Sequence, residues 1–313
     1  MNGAKIICLG TTPAAQRVMV FDGFSLNAVN RALRTLEGPA GKSINVAKVL
    51  KSLGEDPVAM GFLGGNRGQL VQGSLLKMGI GADFVQVAPQ TRQCTTILDT
   101  SAGSHAELVE ESAAVVAADF EALLARIGSQ LTGCKAMIFS GSLAPGGPVD
   151  FYFQCARLVK SDEILTIGDA RGPALIELLK AKPALIKPNR TELAATCGRA
   201  LRDDTEAMQA MRELTERGAR RVVVTDGKNP VLAFDAKTFW RISVPVIEAV
   251  NPIGAGDSFT AGLVSRLVQG DEIDEACRWG VACGAADALT PMVGDVDRAS
   301  VDRLIRQVQA ERI

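Results

Sequence analysis

Short apolar runs alternate along this chain with stretches whose apolar positions recur at helical spacing, and that rhythm predicts strands and helices in turn. Residues 5–9 read as a first strand. Asn45, Val46, Val49, Leu50 and Leu53 recur on one helical face, and Gly54 stops that helix. Residues 58–63 form the next strand, followed by a helix ending near residue 78. The alternation continues with strands at 136–140, 164–169, 184–187 and 221–225 and with helices at 149–159 and 173–179. Three helical stretches follow, at 255–268, 271–288 and 298–310. This order implies an α/β fold of three layers, a mostly parallel sheet with helices on both faces.

Residues 17–37 and 93–111 break the rhythm, because apolar and polar residues alternate there with turn signals between them. Period two suggests half-exposed antiparallel strands. A small sheet over the carboxyl edge of a parallel sheet makes a lid, and ligands bind at that edge. The expected organisation is a single domain over 1–313 with lid segments at about 13–37 and 92–112.

Apolar residues make up 47% and charged residues 22%, a globular balance. The 34 Lys and Arg against 35 Asp and Glu leave a net charge of −1, so no bulk attraction to nucleic acid or to an anionic membrane is expected. Any bound anion must be held by a local site. The seven cysteines form no C-x-x-C pair, which argues against a zinc knuckle or a thioredoxin-type motif. Reduced thiols in a cytoplasm are the simplest reading. The opening MNGAKIICLGTTP does not read as a signal peptide, and no apolar stretch reaches the roughly 20 residues of a membrane span. The one histidine, His105, stands near Ser104 and Glu107 in what reads as a polar hairpin, so a His-based triad or metal site is not expected.

The strongest chemical signal is Gly254-Ala255-Gly256-Asp257, where a helical pattern begins. With so little side-chain bulk, backbone N–H groups can close on an anion, and the helix N-terminus adds positive potential. Such a nest suits a phosphoryl group in flight, whose charge spreads over its oxygens. Asp257, in the first turn, can accept a proton from an attacking hydroxyl. The same residues also suit an ordinary turn followed by an acidic residue favoured at a helix start.

The longer string, Val250-Asn251-Pro252-Ile253 through Gly262, resembles the signature of the PfkB family of carbohydrate kinases, the ribokinase-like group. Other segments resemble that family too. Pro39 to Ala47 is similar to its N-terminal signature, with Ala40 and Ser43 in place of two glycines. Gly41-Lys42-Ser43 is not a Walker loop, because Leu36 stands where that motif needs glycine. Asn189-Arg190-Thr191-Glu192 matches the family's N-x-x-E element, and the same residues are close to a helix capping box.

The resemblance implies a ribokinase-like fold and ATP-dependent phosphorylation of a sugar or sugar phosphate. It makes Asp257 the base and Gly254, Ala255 and Gly256 the anion hole. It assigns Gln16, Gly41, Lys42, Asn45, Arg92 and Glu110 to the acceptor. Lys187, Asn189, Thr225, Gly227, Gly254, Gly256 and Asp287 fall to the nucleotide. Asn189 and Glu192 would hold Mg²⁺ through water. It also implies a homodimer through the lid; the alternating Val18, Val20, Ile97 and Leu108 read as an apolar face that either meets a second copy or covers the chain's own active site.

Asp22-Gly23-Phe24, Val29-Asn30-Arg31 and Thr91-Arg92 resemble the branch of 1-phosphofructokinase and tagatose-6-phosphate kinase. That points to a ketohexose phosphate such as fructose 1-phosphate or tagatose 6-phosphate. The departures cluster at the acceptor end. Gln16 stands where the branch has Asp, and Thr96 where it has Lys. Asp287 replaces a common Asn, so it can accept but not donate as an amide would. The alternatives are a kinase of an unphosphorylated sugar or nucleoside, or a non-catalytic sensor. A Rossmann dehydrogenase lacks support, since the first strand runs into Gly10-Thr11-Thr12-Pro13 without G-x-G-x-x-G.

Overall fold

The strand expected at residues 5–9 forms, and Ile6, Ile7, Cys8 and Leu9 are fully buried. Burial on both faces is what a central parallel strand requires. In the computed structural model, which describes residues 3–313, the strands are β1 (Lys5–Leu9), β2 (Ala14–Phe21), β3 (Arg34–Ala40), β4 (Asp56–Leu63), β5 (Gly81–Gln86), β6 (Arg92–Asp99), β7 (Ser104–Val109), β8 (Cys134–Ser140), β9 (Leu165–Asp169), β10 (Leu185–Ile186), β11 (Val222–Asp226), β12 (Asn229–Phe234), β13 (Phe239–Ile242) and β14 (Ala310–Arg312). The helices are α1 (Lys42–Ser52), α2 (Gly65–Lys77), α3 (Ala117–Gln130), α4 (Phe151–Leu158), α5 (Gly172–Leu179), α6 (Arg190–Cys197), α7 (Asp204–Glu216), α8 (Ala255–Leu267), α9 (Ile273–Ala288) and α10 (Arg298–Leu304).

Ten strands form one sheet in the order β14-β13-β12-β11-β10-β9-β8-β1-β4-β5. From β11 to β5 every neighbouring pair is parallel, and β12, β13 and β14 add an antiparallel edge. Period two sends Ile6 and Cys8 into a core with α1, α2, α8, α9 and α10, and Ile7 and Leu9 into a core with α3 to α7. This is the expected three-layer α/β/α arrangement.

The antiparallel edge and the helices α3 and α7 lie outside the elements anticipated from the pattern. The stretch expected to be helical over 298–310 is instead α10, a 3-10 turn at Ile305–Gln307 and the strand β14. Pairing of β14 with β13 overrides the helix-forming composition of that tail.

The four strands β3-β2-β6-β7 make a separate small sheet, built from the two segments that break the rhythm. Its β2–β6 pair is parallel and its other two pairs antiparallel. Pairing of Val18 with Thr96 and of Val20 with Leu98 puts both valines on one face, while Ile97 pairs with Met19 and shares the other face with Leu108's partner Thr95. Val18, fully buried, therefore belongs to the inner face of this chain. The four residues expected to form one apolar face are split between two.

Helices α8 and α9 meet along a glycine seam. A Cβ on Gly262 would stand 2.7 Å from the Trp279 carbonyl oxygen, and one on Gly280 would stand 3.0 Å from the Phe259 ring. A Cβ on Gly284 would stand 2.8 Å from the Ala255 carbonyl oxygen, at the first residue of α8. The two helices can approach this closely only because these three positions carry no side chain.

Candidate active site

The carboxyl ends of β9, β10 and β11 and the N-termini of α1 and α8 surround a cavity of about 290 Å³, roofed by β2, β6 and β7. A crevice at the carboxyl ends of parallel strands is where open α/β sheets bind ligands. Of the expected residues, Gln16, Gly41, Lys42, Asn45, Arg92, Lys187, Asn189, Glu192, Thr225, Gly254, Gly256 and Asp257 line it.

Gly254 caps α8 with φ of 93°, a left-handed conformation that glycine adopts without strain. Amides of Asp257 and Ser258 donate back to its carbonyl at 2.9 and 3.0 Å, winding the first turn. Asn251, buried just before, accepts from the Ile253 amide at 3.1 Å and donates to the Pro291 carbonyl at 2.8 Å. Asp257 is 7% exposed and its Oδ2 accepts from Asn45 Nδ2 at 2.7 Å. Burial pushes its carboxyl up to about 6, with Lys42 opposing and Asp169 reinforcing.

Asp169, at the end of β9, was not singled out from the sequence. It is 2% exposed, with Lys42 Nζ at 3.4 Å from one oxygen and Lys187 Nζ at 3.4 Å from the other. Thr260 Oγ1 donates to it at 3.0 Å. Burial pushes this carboxyl up, but Lys187 and Lys42 outweigh it and hold the group below the usual range. Lys42 is raised in turn, first by Asp169 against desolvation, then by Asp257 and Glu192. Two cations are thus fixed beside the cavity by one buried carboxylate.

Asn189 and Glu192 form both arms of a capping box at the start of α6. Glu192 N donates to Asn189 Oδ1 at 2.8 Å, and Asn189 N donates to Glu192 Oε2 at 3.0 Å. The remaining Glu192 oxygen, Oε1, lies 3.8 Å from Lys42 Nζ. Among the described residues no group of three or more His, Cys, Asp or Glu side chains gathers as a metal cage. A carboxylate oxygen that lines the cavity and meets Lys42 only at long range suits Mg²⁺, which keeps most of its water and takes phosphate oxygens.

In the roof, Gln16 Nε2 donates to Thr96 Oγ1 at 2.8 Å, and both residues are buried. Arg92 donates to the carbonyls of Thr12 at 3.0 Å and Glu110 at 3.3 Å, while its buried Nε has no partner among the described residues. Glu110 does not line the cavity. It pairs with Arg67 at 2.8 Å and accepts from the Gln93 amide at 2.9 Å. Glu107 lines the cavity instead. Side chains alternate along a strand, so a residue three positions from Glu107 emerges on the other side. Burial raises the Glu107 carboxyl, with Arg92 opposing.

Three more expected contacts fall outside the cavity. Gly227 is the exposed tip of the β11–β12 hairpin, with φ of 58°. Ala255 gives its amide to the Pro252 carbonyl at 3.3 Å. Asp287 is 1% exposed, within α9 and behind the Gly254 turn, where a purine cannot reach it.

Residues 4–295 match the model of the pfkB family carbohydrate kinases. Tagatose-6-phosphate kinase of Staphylococcus epidermidis is 30% identical over 307 residues, 97% of this chain and 98% of that one. Phosphofructokinase-2 of Escherichia coli, solved with substrates and products, superposes with a TM-score of 0.89 at 24% identity, covering 97% of this chain and 99% of that chain. The tetrameric inhibited form of the same enzyme gives 0.88 at 25% identity, with the same coverage.

Proposed function

The chain belongs to the pfkB family of carbohydrate kinases, and on that premise we propose that it transfers the γ-phosphoryl group of ATP to a hydroxyl of a sugar or sugar phosphate, with Asp257 as general base. One observation carries the reading. A buried carboxylate, held by Asn45 at 2.7 Å, stands in the first turn of a glycine-capped helix at the floor of the cavity.

ATP lies along the strand ends, past Thr225 and Lys187, with its phosphates toward Gly254 and Gly256. Positive potential at the start of α8 stabilises the charge that develops on the transferred group. Lys42 and Lys187, fixed by Asp169, lie on the same side of the cavity and supply further positive charge. Asp257 takes the acceptor's proton as its oxygen attacks. Glu192 and Asn189 would hold Mg²⁺ through water, and the bound ion would neutralise phosphate charge. The small sheet acts as a lid that keeps water from the transferred group.

The acceptor is a ketohexose phosphate such as fructose 1-phosphate or tagatose 6-phosphate, the second of which is in the name of the Staphylococcus epidermidis relative. A specific observation favours a second reading, an unphosphorylated sugar or nucleoside. The buried Gln16–Thr96 pair carries no charge to meet a phosphate, and two nitrogens of Arg92 are already taken by carbonyls. ADP release with Mg-ATP, measured over ketohexose phosphates, free sugars and nucleosides, separates the two. Asp257→Asn is expected to keep ATP binding and to lose at least about a hundredfold in kcat. Near-normal turnover of that variant rejects Asp257 as base, and silence of the parent over the whole panel favours a binding protein.

A further inference from the structure

Asp287 has no place in the mechanism above, yet it sits behind the machinery. Its Oδ2 lies 3.0 Å from where a Cβ on Gly254 would stand, so the carboxyl is pressed against the back of the turn. Its Oδ1 accepts from the Asp295 amide at 3.2 Å. It thereby joins three elements: α9, the 291–295 loop and the start of α8. The same loop reaches α1 through Lys48 Nζ, which donates to the Val293 carbonyl at 2.5 Å, and Val293 lines the cavity.

The surroundings make a charge on Asp287 costly. The side chain is 1% exposed, and its buried Oδ2 has only the Ser258 hydroxyl nearby, outside good hydrogen-bond geometry. From α8 it faces Asp257 and Ser258, from α1 Lys48, and from the loop the amides of Gly294 and Asp295. Burial above all pushes its carboxyl up to about 7, the Ser258 hydroxyl opposing first, then Asp257 adding and Lys48 and the Gly294 amide opposing. Lys48 is itself lowered by burial, with Asp287 and Asp295 opposing that shift. A phosphate arriving on the far side of Gly254 brings more negative charge toward the same spot.

We propose that Asp287 is a positioning residue for phosphoryl transfer, which ties the 291–295 loop to the Gly254 turn and works as the neutral acid, so that ATP binding draws a solvent proton onto it. This rests on reading the Gly254–Gly256 turn as the phosphate site. The sign follows from the raised carboxyl. Above about pH 7 free Asp287 is increasingly anionic, and ATP binding must protonate it; well below that it is already neutral.

The test is calorimetric titration of the full chain with Mg-ATP at about pH 8 and about pH 5.5, in buffers of different ionisation enthalpy. The wild type is expected to take up a large fraction of a proton at the higher pH and much less at the lower, where Asp287 is already neutral and Asp257 is mostly so. Asp287→Asn, which keeps the shape and cannot titrate, should show no uptake, and its kcat/KM for ATP should lose the decline above about pH 7. Asp287→Ala should lose about tenfold in kcat/KM at every pH, because the tie to Asp295 is gone. ATP binding without proton uptake in the wild type overturns the proposal and needs no variant to do so. Uptake that persists in Asp287→Asn also overturns it, by assigning the proton to another group. No ATP binding at either pH brings down the phosphate site itself, and this inference with it.

Discussion

At the scale of single residues, the site is organised by buried carboxyls driven in opposite directions. Asp169 is held low by Lys187 and Lys42, while Asp257 and Asp287 are raised by burial. A base must be ionised to work, so kcat/KM for the acceptor is expected to rise with pH, half-maximal near 6. The charging of free Asp287 near 7 belongs instead to kcat/KM for ATP, which is expected to fall above that pH. A rate that stays flat from about pH 5 to 7 would remove Asp257 from the role. Much of this was legible in the sequence, because Gly254 to Asp257 and Asn189 to Glu192 lie within short strings whose spacing already implies a turn and a helix start. Asp169 was not. Its partners Lys42 and Thr260 lie 127 and 91 positions away, and nothing local marks it. Glu107 was passed over for Glu110 because composition does not reveal strand parity.

The elements explain which parts of the fold could be read. Buried parallel strands such as β1 leave apolar runs that stand out, and α1 leaves a clear helical face. The β12–β13–β14 edge leaves much less. Its strands are short and half-covered, and β14 exists only because β13 offers a free edge. Glycine at 262, 280 and 284 reads as helix-weakening by propensity, and only the packing of α8 on α9 shows the reason for it. Gly284→Ala is expected to destabilise the chain by about 1–3 kcal/mol, toward the upper end, because the atom in the way is a backbone oxygen. It should also lower kcat, since that oxygen belongs to Ala255 in the turn proposed for phosphoryl transfer. Denaturant melts and turnover of this variant that both match the parent would sink the claim.

On the scale of the molecule, the small sheet presents an outer face with Met19, Ile97 and Leu108, and Leu26, Val29 and Leu33 in the neighbouring loop are 83, 81 and 70% exposed. Apolar side chains left exposed beside one another are covered when a second copy docks on them. A homodimer through this sheet is the expected state, and sedimentation at micromolar concentration should give twice the 33.0 kDa chain mass. A Leu108→Lys variant should sediment as a monomer, and a parent that sediments at one chain mass refutes the dimer. The glycine seam has a last consequence, for the history of such proteins. Where helices touch without room for a methyl group, a side chain at those glycines forces them apart, so change at this seam is expected to be resisted in descendants. The roof, four strands with a neutral pair at its centre, carries no such constraint. New acceptors can therefore be acquired there while the old chemistry beneath is inherited unchanged.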